Sequence, residues 1–113
     1  MIMEEELKEK WIDALVGPQY PQGHYRLRNS NSVEDKEFYC CLGVLCDLLQ
    51  NVEKDSHQNR EGFSYKDEFS EIELPGSLAE DLGISEEFHK RLQKFNDNGK
   101  TFQHISNWIE ENL

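Results

Sequence analysis

The stretch FYCCLGVLCDLL, residues 38–49, is the only strongly apolar run in a very acidic chain. From Cys41 to Leu49 the apolar side chains do not keep to one helical face, and such a helix must be buried on most sides. The rest of the chain therefore has to wrap around it. Gly43 costs about 1 kcal/mol relative to alanine inside a helix, so a close backbone approach is expected there. The 113 residues are 36% hydrophobic, with two tryptophans, four tyrosines and six phenylalanines. That is enough for one core, and a single domain spanning 1–113 is expected.

Around this run the periodicity assigns the other elements. In EEELKEKWIDAL, residues 4–15, Leu7, Trp11 and Leu15 recur every four residues and make one apolar helical face, which Gly17 and Pro18 end. In QYPQGHYRLR, Tyr25 and Leu27 are expected on one face of a strand, with His24, Arg26 and Arg28 on the other. After the polar loop NSNSVEDK, EFYC returns as the partner strand and leads into a helix over 41–50. Residues 51–62, NVEKDSHQNREG, read as a polar loop, and GFSYK with EIELP as a second strand pair closed by Pro75. SLAEDLGI predicts a short helix ending at Gly83. Ser85 then caps a helix through Phe95, with Phe88, Leu92 and Phe95 on one face, which the stretch NDNG breaks. Thr101 caps a last helix striped by Phe102, Ile105, Trp108 and Ile109. There is no internal repeat and no domain linker. The expected fold is α+β and mainly helical, with a central buried helix and one or two short β-hairpins.

The formal net charge is −11, from 23 acidic and 12 basic side chains. Such a field repels nucleic-acid backbones, so direct nucleic-acid binding is not expected. The same charge either keeps the surface solvated or imitates nucleic acid toward a basic partner. No run approaches the roughly 20 apolar residues that span a membrane. The start, MIMEEELKEKW, is acidic where a secretory signal is basic and then apolar, so a cytoplasmic location is expected.

Three cysteines cannot all pair within one chain, and Cys40 and Cys41 are too close for an ordinary bridge. No C-x-x-C pair is present, and His24, His57, His89 and His104 are scattered without ligand spacing. Neither a metal nor another cofactor is expected. Cys41 lies where strand gives way to helix, where the dipole favours a thiolate. One reading is a cysteine hydrolase with His24 or His104 as base and Asp97 as orienter. The other makes all three cysteines small core hydrophobes.

The same junction offers a binding reading. Backbone N–H groups at Leu42, Gly43 and Val44 can hold an anion at the helix start, beside Cys41. Arg26 and Arg28 can grip it as guanidinium forks, while Tyr20, Gln22 and Tyr25 stack on and bond to a base. Asn96 or Asp97 can reach into that pocket. The alternative pairs the arginines with surface carboxylates such as Glu34 or Asp35 and lets the tyrosines cover the core. Asn96, Asp97 and Asn98 before Gly99 lack the calcium-loop pattern and read as a turn.

The combination W-x-x-A-L-x-G-x-x-Y, Q-G, Y-C-C-L-G-V-L-C-D-L, L-P, L-G and N-D-x-G-x-x-F-x-x-I resembles a family of small hypothetical proteins of phages, prophages and bacteria. Here it is carried by Trp11, Ala14, Leu15, Gly17, Tyr20, Gln22 and Gly23, then Tyr39 through Leu48, Leu74, Pro75, Leu82 and Gly83. Asn96, Asp97, Gly99, Phe102 and Ile105 complete it. The polar insertion NSNSVEDK is longer than in the family. The resemblance fixes no activity, but it implies a phage-like setting, within the host cytoplasm, in which small acidic proteins antagonise host defence. The expected function is sequestration of a nucleotide-like signal. The alternatives are an acidic protein that inhibits a host enzyme by nucleic-acid mimicry of its basic surface, with a host defence protein as partner, and the cysteine hydrolase. A homo-oligomer is compatible with any of them.

Overall fold

The computed structural model describes residues 4–31, 36–58 and 60–113. The apolar run forms helix α2, Cys41–Leu48, and its first six residues are all buried. Against it pack α1 (Glu5–Val16) and α4 (Glu86–Asp97), with α5 (Phe102–Asn112) lying on both of these, and the fold also has α3 (Gly76–Leu82). Two small antiparallel sheets complete the α+β fold. Strand β1 (Arg28–Asn31) pairs with β2 (Lys36–Tyr39), and β3 (Glu53–His57), β4 (Arg60–Tyr65) and β5 (Glu68–Ser70) form a sheet with β4 in the middle. No helix among the described residues is long and apolar enough to cross a membrane.

Several helix ends have an identifiable cap. Ser85 and Thr101 accept the Phe88 and His104 amides with their hydroxyls, and Gly83 closes α3 in the left-handed region at φ 73°. The cap of α2 is unusual: the Cys40 thiol accepts the Gly43 N–H at 3.4 Å. Glu68 caps α3 from outside, accepting the Gly76 and Ser77 amides.

The core joins the helices to both sheets. Trp11, Leu27, Leu42, Leu45, Phe63, Leu92, Ile105 and Ile109 are all fully buried. Burial of each such side chain contributes about 1.5–3 kcal/mol. The Trp11 Nε1–H donates to the Cys41 carbonyl at 2.9 Å, so α1 is tied to α2 through a buried polar atom as well as by packing.

Three strand expectations are corrected. Tyr25 and Leu27 are not strand residues: β1 begins at Arg28, and Tyr25 sits in the left-handed region at φ 70°. The polar segment 51–62 is not a loop, because β3 and the start of β4 lie within it. GFSY of GFSYK is indeed in a strand, but its partners are β3 and β5 and not EIELP. The residues 32–35 of the polar insertion lie outside the described residues, and with them the pairing of an arginine to Glu34 or Asp35.

Candidate functional site

The polar residues of the sequence motifs converge, but on one another. Asn96, fully buried, accepts from the Gln22 amide at 3.1 Å and from the Cys41 N–H at 3.3 Å, and donates to the Gly23 carbonyl at 2.8 Å. Gln22 also donates to the Lys100 carbonyl and accepts the Phe102 N–H. Asp97 accepts the Tyr25 N–H at 2.8 Å. The turn at 21–25 is thus fastened to the α4–α5 junction and the head of α2. The Tyr20 hydroxyl donates to Asp47 at 2.6 Å, adding a second tie to α2.

The expected anion cradle at the head of α2 is closed. The Cys41 amide is taken by Asn96, that of Gly43 by the Cys40 thiol and that of Val44 by the Cys40 carbonyl, while Leu42 is fully buried. A phosphate has no donor left to meet there.

The cysteine-hydrolase constellation does not assemble either. Cys41 has no exposed surface, and its thiol donates to the Leu92 carbonyl. Burial pushes the thiols of Cys41 and Cys46 well above their ordinary range and that of Cys40 up to about 11. The helix dipole is outweighed by desolvation. His24 and His104 are exposed, ring-packed against Tyr25 and Phe95, and Asp97 is engaged with Tyr25.

Arg28 is also withdrawn from any ligand. It is 7% exposed, and its guanidinium donates to the carbonyls of Gly62 and Asp55, each at 2.9 Å, and lies within 3.2 Å of Glu61. It is the polar rivet between the two sheets. Next to it, Lys54 bonds Glu37 at 2.8 Å, and the Tyr39 hydroxyl donates to the same carboxylate, holding Glu37 below the usual carboxylate range.

On the surface stand Tyr25, 66% exposed, and Arg26. Arg26 faces Glu71 at 3.9 Å, and Arg60 approaches the same carboxylate at 3.7 Å. Neither contact is a hydrogen bond. Arg60 and Glu71 carry no motif, and their neighbourhood follows from strand pairing that the sequence concealed.

Three surface grooves among the described residues are mainly acidic. One groove on the β3–β4–β5 sheet is lined by Glu53, Asp55 and Asp67 together with Phe69 and Lys66. Another, between α1 and the end of α2, has Glu4 and Glu6 beside Leu7, Leu48 and Lys10. A third, beside α3 and α4, has Glu73, Glu80 and Glu86 around Leu74, Ala79, Ile84 and His89. Among the described residues no group of three or more His, Cys, Asp or Glu side chains is placed to hold a metal ion.

The fold and these surfaces define a small acidic α+β protein whose motif residues build the scaffold. The chain belongs to the family described as Domain of unknown function (DUF8296), whose model matches residues 3–80. The matched stretch contains the CCLGVLCDL helix and both sheets, while α4 and α5 lie beyond it. No curated protein and no solved structure matches the chain.

Proposed function

We propose that this is a binding protein whose acidic exterior engages a basic surface on a protein partner. The observation that carries this reading is the lining of the three grooves: each holds two or three carboxylates and none holds an arginine. Lys66 and Lys10 line the first two, yet carboxylates outnumber cations in each groove, and clefts dominated by one sign of charge concentrate the field and draw in the opposite sign. The end of the molecule formed by α1 and α5 adds to it. Lys8 spends its ammonium on the carbonyls of Glu110 and Leu113, which ties α1, with its acidic first turn, to the acidic C-terminal end of α5. In the phage setting that the sequence resemblance implies, the partner is a host defence protein whose nucleic-acid-binding surface is blocked by mimicry.

The test is to immobilise the wild-type protein and a Glu4→Gln/Glu5→Gln/Glu6→Gln variant and wash each through a salt gradient from about 50 to 500 mM, where screening sets in. One basic host protein retained at low salt, released as salt rises and held less firmly by the variant supports the reading. Retention that ignores salt, or no retained protein, removes it.

A second reading is capture of a nucleotide-like signal at Tyr25, Arg26 and Arg60. It is favoured by the two guanidiniums that share Glu71 without hydrogen-bonding it, beside an exposed aromatic ring. Cyclic di- and trinucleotides and ADP-ribose-type compounds released intact by heating from wild type, but not from Arg26→Ala/Arg60→Ala, would select it.

A further inference from the structure

We propose that the groove formed by residues 73–76, α3 and the start of α4 receives one lysine or arginine side chain of the partner. This rests on the reading of a basic protein partner and names the feature of that partner that is held. The groove encloses about 400 Å³. Leu74 and Ile84, both buried, and Ala79 give it an apolar wall suited to the methylene stem of a long cationic side chain. Glu73, Glu80 and Glu86 stand with this wall, and Lys90 engages Glu86 at 3.0 Å. Glu73 and Glu80 have no cation paired with them among the described residues.

His89 supplies the third element. His89 is 7% exposed, and its Nε2 accepts the Leu74 N–H at 3.0 Å. The neutral ring therefore carries its proton on Nδ1, and that N–H has no acceptor among the described residues. The groove thus offers one donor for a backbone carbonyl, an apolar wall for a stem and two unpaired carboxylates for a cationic head. A phosphate is repelled by the same carboxylates. A second copy of the chain, itself at −11, is repelled as a whole.

The experiment is an NMR titration of the full chain with the capped peptide Ac-Gly-Ala-Lys-Ala-Gly-amide and with its neutral counterpart carrying norleucine for lysine. The lysine peptide is expected to shift the methyl resonances of Leu74, Ala79 and Ile84 and the imidazole of His89 to saturation, and the norleucine peptide is not. Glu73→Gln/Glu80→Gln should weaken the lysine peptide by about fivefold, as two partly screened ion pairs allow. Glu9→Gln/Asp13→Asn removes the same charge on α1, away from every groove, and should change nothing. Equal shifts from both peptides, equal weakening in both variants, or no shift at these residues overturns the proposal. Groove shifts that grow with protein concentration alone would assign the groove to a second copy and overturn it equally. If the whole partner still binds with salt sensitivity while Glu73→Gln/Glu80→Gln binds it as wild type does, this groove is discarded and the broader reading stands.

Discussion

A Cβ built on Gly43 would lie 1.7 Å from the carbonyl oxygen of Leu27. The central helix and the residue entering β1 are therefore in backbone contact, and the glycine inside the apolar run is the condition for that contact. Gly43→Ala gains about 1 kcal/mol of helix propensity. It must also displace backbone, so a net loss of about 2–3 kcal/mol is expected. Gly76→Ala, whose Cβ would meet only the Glu68 carboxylate at 3.6 Å, should be close to neutral. Chemical denaturation midpoints of the two variants check both.

Asn96→Ala should destabilise by about 2–4 kcal/mol, because it strands the Cys41 amide and the Gly23 carbonyl without partners. The turn at 21–25 should loosen with it. Faster hydrogen exchange at Tyr25 and Cys41 in the variant, with little change in β4, is the expected pattern. Uniform acceleration across the chain would place the loss elsewhere.

The three thiols should resist iodoacetamide in the native protein and react only as the chain unfolds, since all are buried and shifted upward by burial. Rapid labelling of one cysteine at neutral pH, read by mass spectrometry, would contradict the core assignment.

His89 sets a pH window. Burial lowers its folded-state pKa below the ordinary 6.5, Glu73 and Glu86 draw it partly back, and Lys90 adds to the lowering. The unfolded chain then binds more protons just below pH 6.5, so the stability from this group is complete above 6.5 and falls as pH drops through the window. Carboxylates lowered by their partners, Glu37 by Lys54 and Tyr39 and Glu68 by Ser77, lose their contribution only below about 4.5. A decline in denaturation midpoint beginning near pH 6.5, before the carboxylate decline, is expected. An NMR titration placing His89 at or above 6.5 would contradict it.

The helices were legible because their caps and stripes are local: Ser85, Thr101, Gly83 and the Trp11–Leu15 face are where periodicity put them. Strand β3 was hidden because Glu53, Lys54 and Ser56 are all exposed on an edge strand, which leaves no apolar alternation to read. The β4–β5 turn needs left-handed backbone at both Lys66 and Asp67, yet carries neither glycine nor asparagine. The site was less legible than the fold. Gln22, Asn96 and Asp97 were visible as polar motif residues, but only tertiary packing shows that Gln22 bonds Asn96 and that Asp97 takes the Tyr25 amide. Burial of His89 was readable three residues before Leu92 on one helical face, while its pairing with the Leu74 amide was not.

The most direct test of the acidic-surface account is the dissociation constant of the complex with the recovered basic partner, measured across salt concentration. The account predicts a steep weakening as salt rises, and a shallower dependence for Glu4→Gln/Glu5→Gln/Glu6→Gln, because fewer charges are left to screen. A dissociation constant unchanged by salt, and equal for the two proteins, would contradict it.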